Sequence, residues 1–179
     1  LQTFAALAVS SIAGYGFEIY HDKAKDTVMA ILMLAMMVPF VAVLVPLFQM
    51  FTKAKLINSW TGFILPSIAT PFLIMYFRNS ARSFPRDTLE AARIDGLNEF
   101  QIFIRMFIPM MKPTYASAAT ITFMGAWNAY LWPKVVMQTN EAITMPMLVA
   151  NTMGGYVIDY GVVMAAVTIC SLPTVIIFF

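Results

Sequence analysis

Thr27–Phe51 reads TVMAILMLAMMVPFVAVLVPLFQMF, 25 residues without one charged side chain. A helix needs about 20 residues to cross the roughly 30 Å hydrocarbon core of a bilayer, so this run alone is long enough to span. Four more runs accompany it: Leu1–Phe17, which stays uncharged until Glu18, then Ser59–Phe77, Thr114–Pro133 and Tyr160–Phe179. The whole 179-residue chain is 60% hydrophobic and only 11% charged, with mean hydropathy +0.77. A soluble domain carries about 25% charged residues, and so few charges cannot cover this much apolar surface in water. Water-soluble enzymes, disordered tails and nucleic-acid binders are thereby excluded, and a net charge of +2 gives no reason to invoke nucleic acid. One cysteine, Cys170, rules out an internal disulfide and a cysteine-cluster metal site. The expected fold class is all-α: a polytopic transmembrane helical bundle with five spans, held in a lipid bilayer.

The outer runs reach the two ends of the chain, and the first residue is Leu. The first run has neither a basic leader nor an Ala-x-Ala cleavage signal, so it is not a signal peptide. The chain therefore reads as a piece of a longer protein, one membrane domain over 1–179. Orientation follows from Lys and Arg in the connections. Lys23, Lys25, Arg78, Arg82, Arg86, Arg93, Arg105 and Lys112 fall on one side, and Lys53, Lys55 and Lys134 on the other. The richer side is cytoplasmic, so Leu1 starts outside.

Pro39 and Pro46, Pro66 and Pro71, and Pro173 lie inside three of the runs. Each removes a backbone hydrogen bond and favours a kink, with neighbouring helices re-satisfying the freed carbonyls. Bent packing and hinges for a gated pathway both account for them. Val135–Asp159, with Pro146, Gly154 and Gly155, is a partly polar outer connection, too interrupted for a span.

The cytoplasmic segment 78–112 holds six of the eleven basic residues and reads as two short helices. Asp87 with Glu90 three residues on has capping-box spacing, Ala91 and Ala92 favour helix, and Gly96 stops it where a left-handed cap is cheapest. Phe100, Phe103, Ile104, Phe107 and Ile108 then recur at threes and fours, one apolar face of a second helix at the membrane surface. Pro109 and Pro113 end it. A short exposed helix of this kind suits docking into a groove on another protein. The alanine pair permits close approach, and Glu90, Arg93 and Asp95 offer rim charges.

Glu90-Ala91-Ala92, three residues, Gly96, nine residues, then Met106-Phe107-Ile108-Pro109 resembles the EAA loop of ABC importer permeases, with the spacing intact and apolar swaps at Met106 and Ile108. The phrase EAARIDG, the run from Trp127 to Pro133, and Met164-Ala165-Ala166 leading to Leu172-Pro173 look like the carbohydrate branch, similar to maltose-type inner-membrane subunits. Such permeases have six spans, which implies a missing first span and a short C-terminal tail.

The resemblance implies a multi-pass protein of the bacterial inner membrane, moving a sugar by alternating access. The first loop helix becomes a coupling helix: Glu90, Ala91, Ala92, Arg93, Asp95 and Gly96 would meet a cytoplasmic ABC ATPase dimer. A second permease subunit, read as a different chain, and an extracytoplasmic solute-binding protein complete the set. No GxxxxGK[ST] occurs, so this chain is not an enzyme and needs no cofactor. Glu90 also reads as a cap of its own helix. Arg78, Arg82 and Arg86 read as positive-inside anchors. Trp127, Asn128 and Tyr130, with Trp132, suit a sugar path, since rings stack on sugars and a polar group in lipid marks function. They equally fit the ordinary interfacial belt.

The remaining features read as structural. Fifteen Met residues pack apolar helices, His21 beside Asp22 is no metal site, and Glu18 and Asp159 are solvated at span ends. The alternatives are an ion-coupled secondary transporter, which lacks its buried ionisable residues here, and a non-transporting membrane assembly protein.

Overall fold

The computed structural model describes residues 1–139, 143–154 and 159–178, and no strand occurs among them. In chain order the helices are α1 (Gln2–Ile19), α2 (Lys23–Ala35), α3 (Phe40–Lys53), α4 (Trp60–Ile64) continuing as a 3-10 turn over Leu65–Ser67, α5 (Pro71–Ala81), α6 (Arg86–Ile94), α7 (Glu99–Ile102), a π turn over Phe103–Phe107, α8 (Ile108–Met110), α9 (Lys112–Trp127), α10 (Leu131–Val136), α11 (Met145–Thr152) and α12 (Tyr160–Phe178). They fall into two compact units, one of residues 3–37 and 67–119, the other of 38–66 and the chain from 120 on.

Each apolar run is helical, but three are interrupted. Thr27–Phe51 is divided between α2 and α3. The residue before a proline is pushed out of the α region, so Pro39 ends one helix and serves as N-cap of the next instead of kinking a single span. Pro46 and Pro173 do lie inside helices. Pro71 opens α5 in its first turn, where the missing N–H costs nothing. Ser59–Phe77 is shared by α4, the 3-10 turn and α5, and Thr114–Pro133 by α9 and α10. Among the described residues only α12 is by itself long and apolar enough to cross a membrane, and α2 with α3 and α4 with α5 qualify only when joined across a break. Along α12 Val163 is buried, while Val162, Ile169, Leu172 and Ile176 are exposed. A helix this apolar and this exposed marks a surface for lipid or for another protein.

In the first unit α1 presents small residues four apart, Ala6, Ser10 and Gly14, all buried. Such a stripe lets backbones approach closely in a membrane, and α5 uses it: a Cβ on Gly14 would lie 2.6 Å from Phe77 Cβ and 2.7 Å from the Arg78 amide nitrogen. Ala6, Leu73, Phe77 and Ala118 form one core there. A second core gathers Tyr15, Phe84, Leu89, Ala92, Ile102, Phe103 and Phe107 beneath α6. The expected apolar face of the second loop helix is corrected here. Phe100 and Ile104 are exposed, while Ile102, Phe103 and Phe107 are buried. The π turn is the cause: the Ile108 amide donates five residues back to the Phe103 carbonyl, which resets the 3.6-residue phase. Phe103 and Phe107 then stack at 5.5 Å. This face packs inside the protein and not on the bilayer.

The second unit is built around Trp132, which is 8% exposed. Its ring meets Phe51 edge-on at 5.1 Å and its indole N–H donates to the Gly62 carbonyl at 3.1 Å. The Asn58 amide donates to the Val136 carbonyl at 2.8 Å, and the Gln138 amide to Asn58 Oδ1 at 2.5 Å. Two connections that the charge count places on the outer side are thus tied together. Within Val135–Asp159, α10 ends and α11 forms, and Gly155 lies outside the described residues.

Gly14 and Gly16 offer a matched test. A methyl on Gly16 meets nothing within 4 Å. Gly14→Ala should destabilise the detergent-purified protein by about 1–3 kcal/mol, the scale of overpacking, and lower its melting temperature, while Gly16→Ala leaves the melting temperature where it was.

Candidate functional site

The candidate site lies in the first unit, around α6, and its chemistry begins at Arg78. This side chain ends the apolar part of α5 yet is 5% exposed. A buried guanidinium must be paired. Arg78 Nη2 donates to Asp26 Oδ1 at 2.5 Å and Nε to Glu18 Oε2 at 3.3 Å, and Arg82 Nε adds a second bond to Glu18 Oε2 at 3.3 Å. The hydrogen bond to Asp26 raises the Arg78 pKa above its ordinary value. Arg78 in turn holds the Asp26 carboxyl below the usual range. The solvated reading of Glu18 is corrected, since its side chain is 15% exposed and paired: Glu18, Asp26, Arg78 and Arg82 form an ionic cluster linking α1, α2 and α5. His21 completes it, 2.9 Å from Asp26 Oδ2.

α6 stands on this base. Its N-cap is Pro85, with no side-chain cap, so Asp87 and Glu90 do not form the expected box. The helix starts two residues earlier than that box requires, at Arg86, which puts Asp87 in the first turn, where a carboxylate favours the helix dipole. Gly96 does take the left-handed conformation, φ +79°. Its amide donates to the Arg93 carbonyl at 3.1 Å, and the Leu97 amide to the Ala92 carbonyl at 3.0 Å, the paired bonds of a Schellman motif. A capping box exists one helix on, where Asn98 and Gln101 satisfy each other's amides at the start of α7; Asn-x-x-Gln was the available signal.

The alanine pair separates. Leu89 and Ala92 are buried against α1 and the π turn, so Ala92 belongs to the protein's own core. Asp87, Glu90, Ala91 and Ile94 are exposed, and Ile94 is 85% exposed. Positions 87, 90, 91 and 94 share one face of α6. The sequence reading missed Ile94, whose signal was its place four residues past Glu90. A cleft of about 140 Å³ under α6 is lined by Arg82, Arg86, Arg93, Glu18 and Glu90.

Arg93 turns away from that face. Its Nε donates to Glu99 Oε1 at 2.8 Å and its Nη2 lies 2.8 Å from the same oxygen as an ion pair, which raises the Arg93 pKa. Burial pushes the Glu99 carboxyl up, but the Tyr20 hydroxyl, Arg93 and the Tyr15 hydroxyl outweigh it and hold the group below the ordinary carboxylate range.

The residues read as a sugar path part company in the second unit. Trp127 is half-buried, stacked on Phe123 at 6.0 Å, with its indole N–H donating to the Cys170 carbonyl at 2.9 Å. The Tyr130 hydroxyl accepts from Lys134 Nζ at 2.6 Å. Trp132 is core. Asn128 alone reaches a cavity of about 290 Å³, walled by Pro146, Val149, Val167, Cys170 and Ser171. An amide oxygen and a hydroxyl among apolar walls can take one small polar-rimmed ring.

Two outcomes follow from the charges. Arg78→Met should destabilise by about 3 kcal/mol, the low end for orphaning a buried charge, because Glu18 keeps Arg82; the double variant Arg78→Met with Glu18→Gln should recover part of the loss in chemical denaturation. Asp26 and Glu99 both titrate lower when folded, so their contribution is complete above the unfolded pKa near 4 and lost as pH falls through the folded values. Melting temperature should therefore be flat from about pH 7 to 5 as far as these groups act, and decline below about pH 4.

Comparison with known proteins agrees with this architecture. The family model described as binding-protein-dependent transport system inner membrane component matches residues 6–179. The lactose transport system permease protein LacG of Rhizobium radiobacter is 42% identical over 177 residues, 99% of this chain and 65% of that protein. The arabinooligosaccharides transport system permease protein AraQ of Bacillus subtilis is 35% identical over 98% of this chain and 63% of its own length. The sn-glycerol-3-phosphate transport system permease protein UgpE of Yersinia pestis is 28% identical over 98% and 63%. The chain thus spans less than two thirds of the length of these relatives. The crystal structure of a bacterial ABC transporter involved in the import of the acidic polysaccharide alginate shares the fold, with TM-score 0.83 at 22% identity over 99% of this chain and 70% of that one. The chain, helical throughout its regular structure and apolar enough to need a bilayer, belongs to the family of inner-membrane components of binding-protein-dependent transport systems.

Proposed function

We propose that the full protein is the membrane permease subunit of an ATP-driven carbohydrate importer, with 1–179 as one permease domain and 78–112 as its coupling loop. The observation that carries this is the outer face of α6. Glu90, Ala91 and Ile94 are exposed on a helix whose opposite side is locked into the core by Leu89 and Ala92. An isoleucine 85% exposed on a rigid polar surface fits a groove on a partner, read as helix-in-groove at positions i, i+3, i+4 and i+7. Gly96 fixes the exit of the chain, so the helix is held at a set angle.

In this reading α6 seats in a cleft of a cytoplasmic ATPase subunit, and closure of two ATPases rocks the permease, paired with a second permease subunit, between inward- and outward-facing states. Five membrane-crossing elements serve this chain: α1, the α2–α3 and α4–α5 pairs, α9 and α12. The ties Arg78–Glu18 and Asn58–Val136 support that topology, because each joins connections that the alternation assigns to one side. A solute-binding protein delivers the sugar from outside, and the cavity at Asn128 receives it. LacG and AraQ are named for a disaccharide and for oligosaccharides, which favours a sugar here. Neither the secondary-transporter nor the assembly reading gains support from the family.

The test is co-purification of the tagged full-length protein from its native membrane, comparing wild type with Glu90→Arg and Ile94→Asp. An ATPase subunit should accompany the wild type and be reduced about tenfold or more in each variant, at least ~1.4 kcal/mol of lost affinity, with sugar uptake falling alongside. Absence of any ATPase from wild type under mild detergent and crosslinking would sink the proposal.

A further inference from the structure

Glu99 lies outside the EAA-to-Gly stretch, three residues past Gly96, yet its carboxylate meets three elements. It belongs to α7. One oxygen accepts a hydrogen bond from Arg93 Nε on the last turn of α6 at 2.8 Å, with Arg93 Nη2 in ion-pair contact at 2.8 Å. The other accepts from the Tyr15 hydroxyl on α1 at 3.3 Å, and Tyr20 at the end of α1 faces the same group. Tyr15 is itself clamped: it is 5% exposed, with edge contacts to Phe103 at 5.3 Å and Phe107 at 4.9 Å.

Beneath α6 the core contacts to α1 and the π turn are apolar, Leu89 and Ala92 against Ile19, Tyr15 and Phe103, beside the charged cleft that Glu18 and Arg86 line. Apolar contact is non-directional. It keeps two helices together but lets one slide or rotate on the other at little cost. Hydrogen bonds weaken steeply away from good distance and angle, and a guanidinium–carboxylate fork adds geometric specificity. A shift of α6 therefore passes to α1 through Arg93, Glu99 and Tyr15 before the apolar layer resists it.

We propose that Glu99 is a positioning residue that makes movement of α6 into movement of α1, so that ATP hydrolysis at the docked partner is coupled to transport. This rests on the reading of α6 as the docking helix. A carboxylate does what an amide cannot, since both its oxygens accept, one from each side. Glutamine keeps the size but loses the charge that strengthens the Arg93 pair, and toward Tyr15 it offers an amide N–H in place of an accepting oxygen, which reverses that bond.

The experiment uses the complete transporter in proteoliposomes, measuring sugar uptake and ATP hydrolysis in the same vesicles for wild type, Glu99→Gln, Glu99→Asp and Tyr15→Phe. Glu99→Gln should retain its ATPase subunits and hydrolyse ATP within about twofold of wild type, while sugar moved per ATP falls at least about fivefold, the low end of measured coupling between sites. Tyr15→Phe, which keeps the packed ring, should lower the ratio less, and adding it to Glu99→Gln should change nothing further. Glu99→Asp, a methylene short of Tyr15, should restore part of the ratio. Hydrolysis and uptake falling together, with the ratio intact, would make Glu99 merely structural and overturn the proposal, as would an unchanged ratio in both Glu99→Gln and Tyr15→Phe. A wild-type preparation with no ATPase or no uptake of any sugar removes the importer reading, and this inference with it, before any variant is compared.

Discussion

Burying one guanidinium organises the first unit of this protein around the ends of α1, α2 and α5. Arg78 follows directly on Phe77, whose side chain is wholly enclosed, and the tight crossing at Gly14 leaves the arginine no route to solvent. Its charge is bearable only with carboxylates at hand, and Glu18 and Asp26 supply them from the end of α1 and the start of α2. That requirement fixes how three helices end relative to each other. A lysine could not replace it, because one compact ammonium lacks the planar fork that reaches both carboxylates.

α6 inherits its stance from this base. Phe84, Leu89 and Ala92 sink into the core shared with Tyr15 and Phe107, and the two Schellman bonds at Gly96 close the far end. What remains outside is a small charged and apolar face on α6. Such a helix transmits force well only if it is also held in register. The Arg93–Glu99–Tyr15 chain provides directional bonds across an otherwise slippery apolar contact. The π turn belongs to the same arrangement, since it rotates Phe103 and Phe107 onto Tyr15.

The second unit solves a different problem. α12 is apolar all round and exposed, stable only where lipid or another protein covers it. Trp132 holds the opposite extreme, a large ring fully enclosed with its N–H satisfied by Gly62. Between them the Asn128 cavity is the place in this unit where open space, an amide and a hydroxyl coincide.

Composition by itself settled the class, because an 11% charged chain of this hydropathy cannot be solvated. Motif spacing located the loop helix and its terminator, since a left-handed Gly96 and the bulk of residues near it are local properties. The alternation of basic residues likewise grouped connections that the structure ties in pairs, Glu18 with Arg78 and Asn58 with Val136. Nothing local, however, tells a spanning run from a broken one: Pro39 ends a helix only because its surroundings accept the break. Nor could spacing tell Ala91 from Ala92, Trp132 from Trp127, or Arg78 from Arg82, pairs alike in chemistry and separated only by what lies opposite. The phase of Phe100 to Ile108 failed for the same reason, as the π turn shifts the register by one bond. Propensity and charge act along the chain, whereas burial, pairing and register depend on residues tens of positions away, and these were decided by the tertiary structure alone.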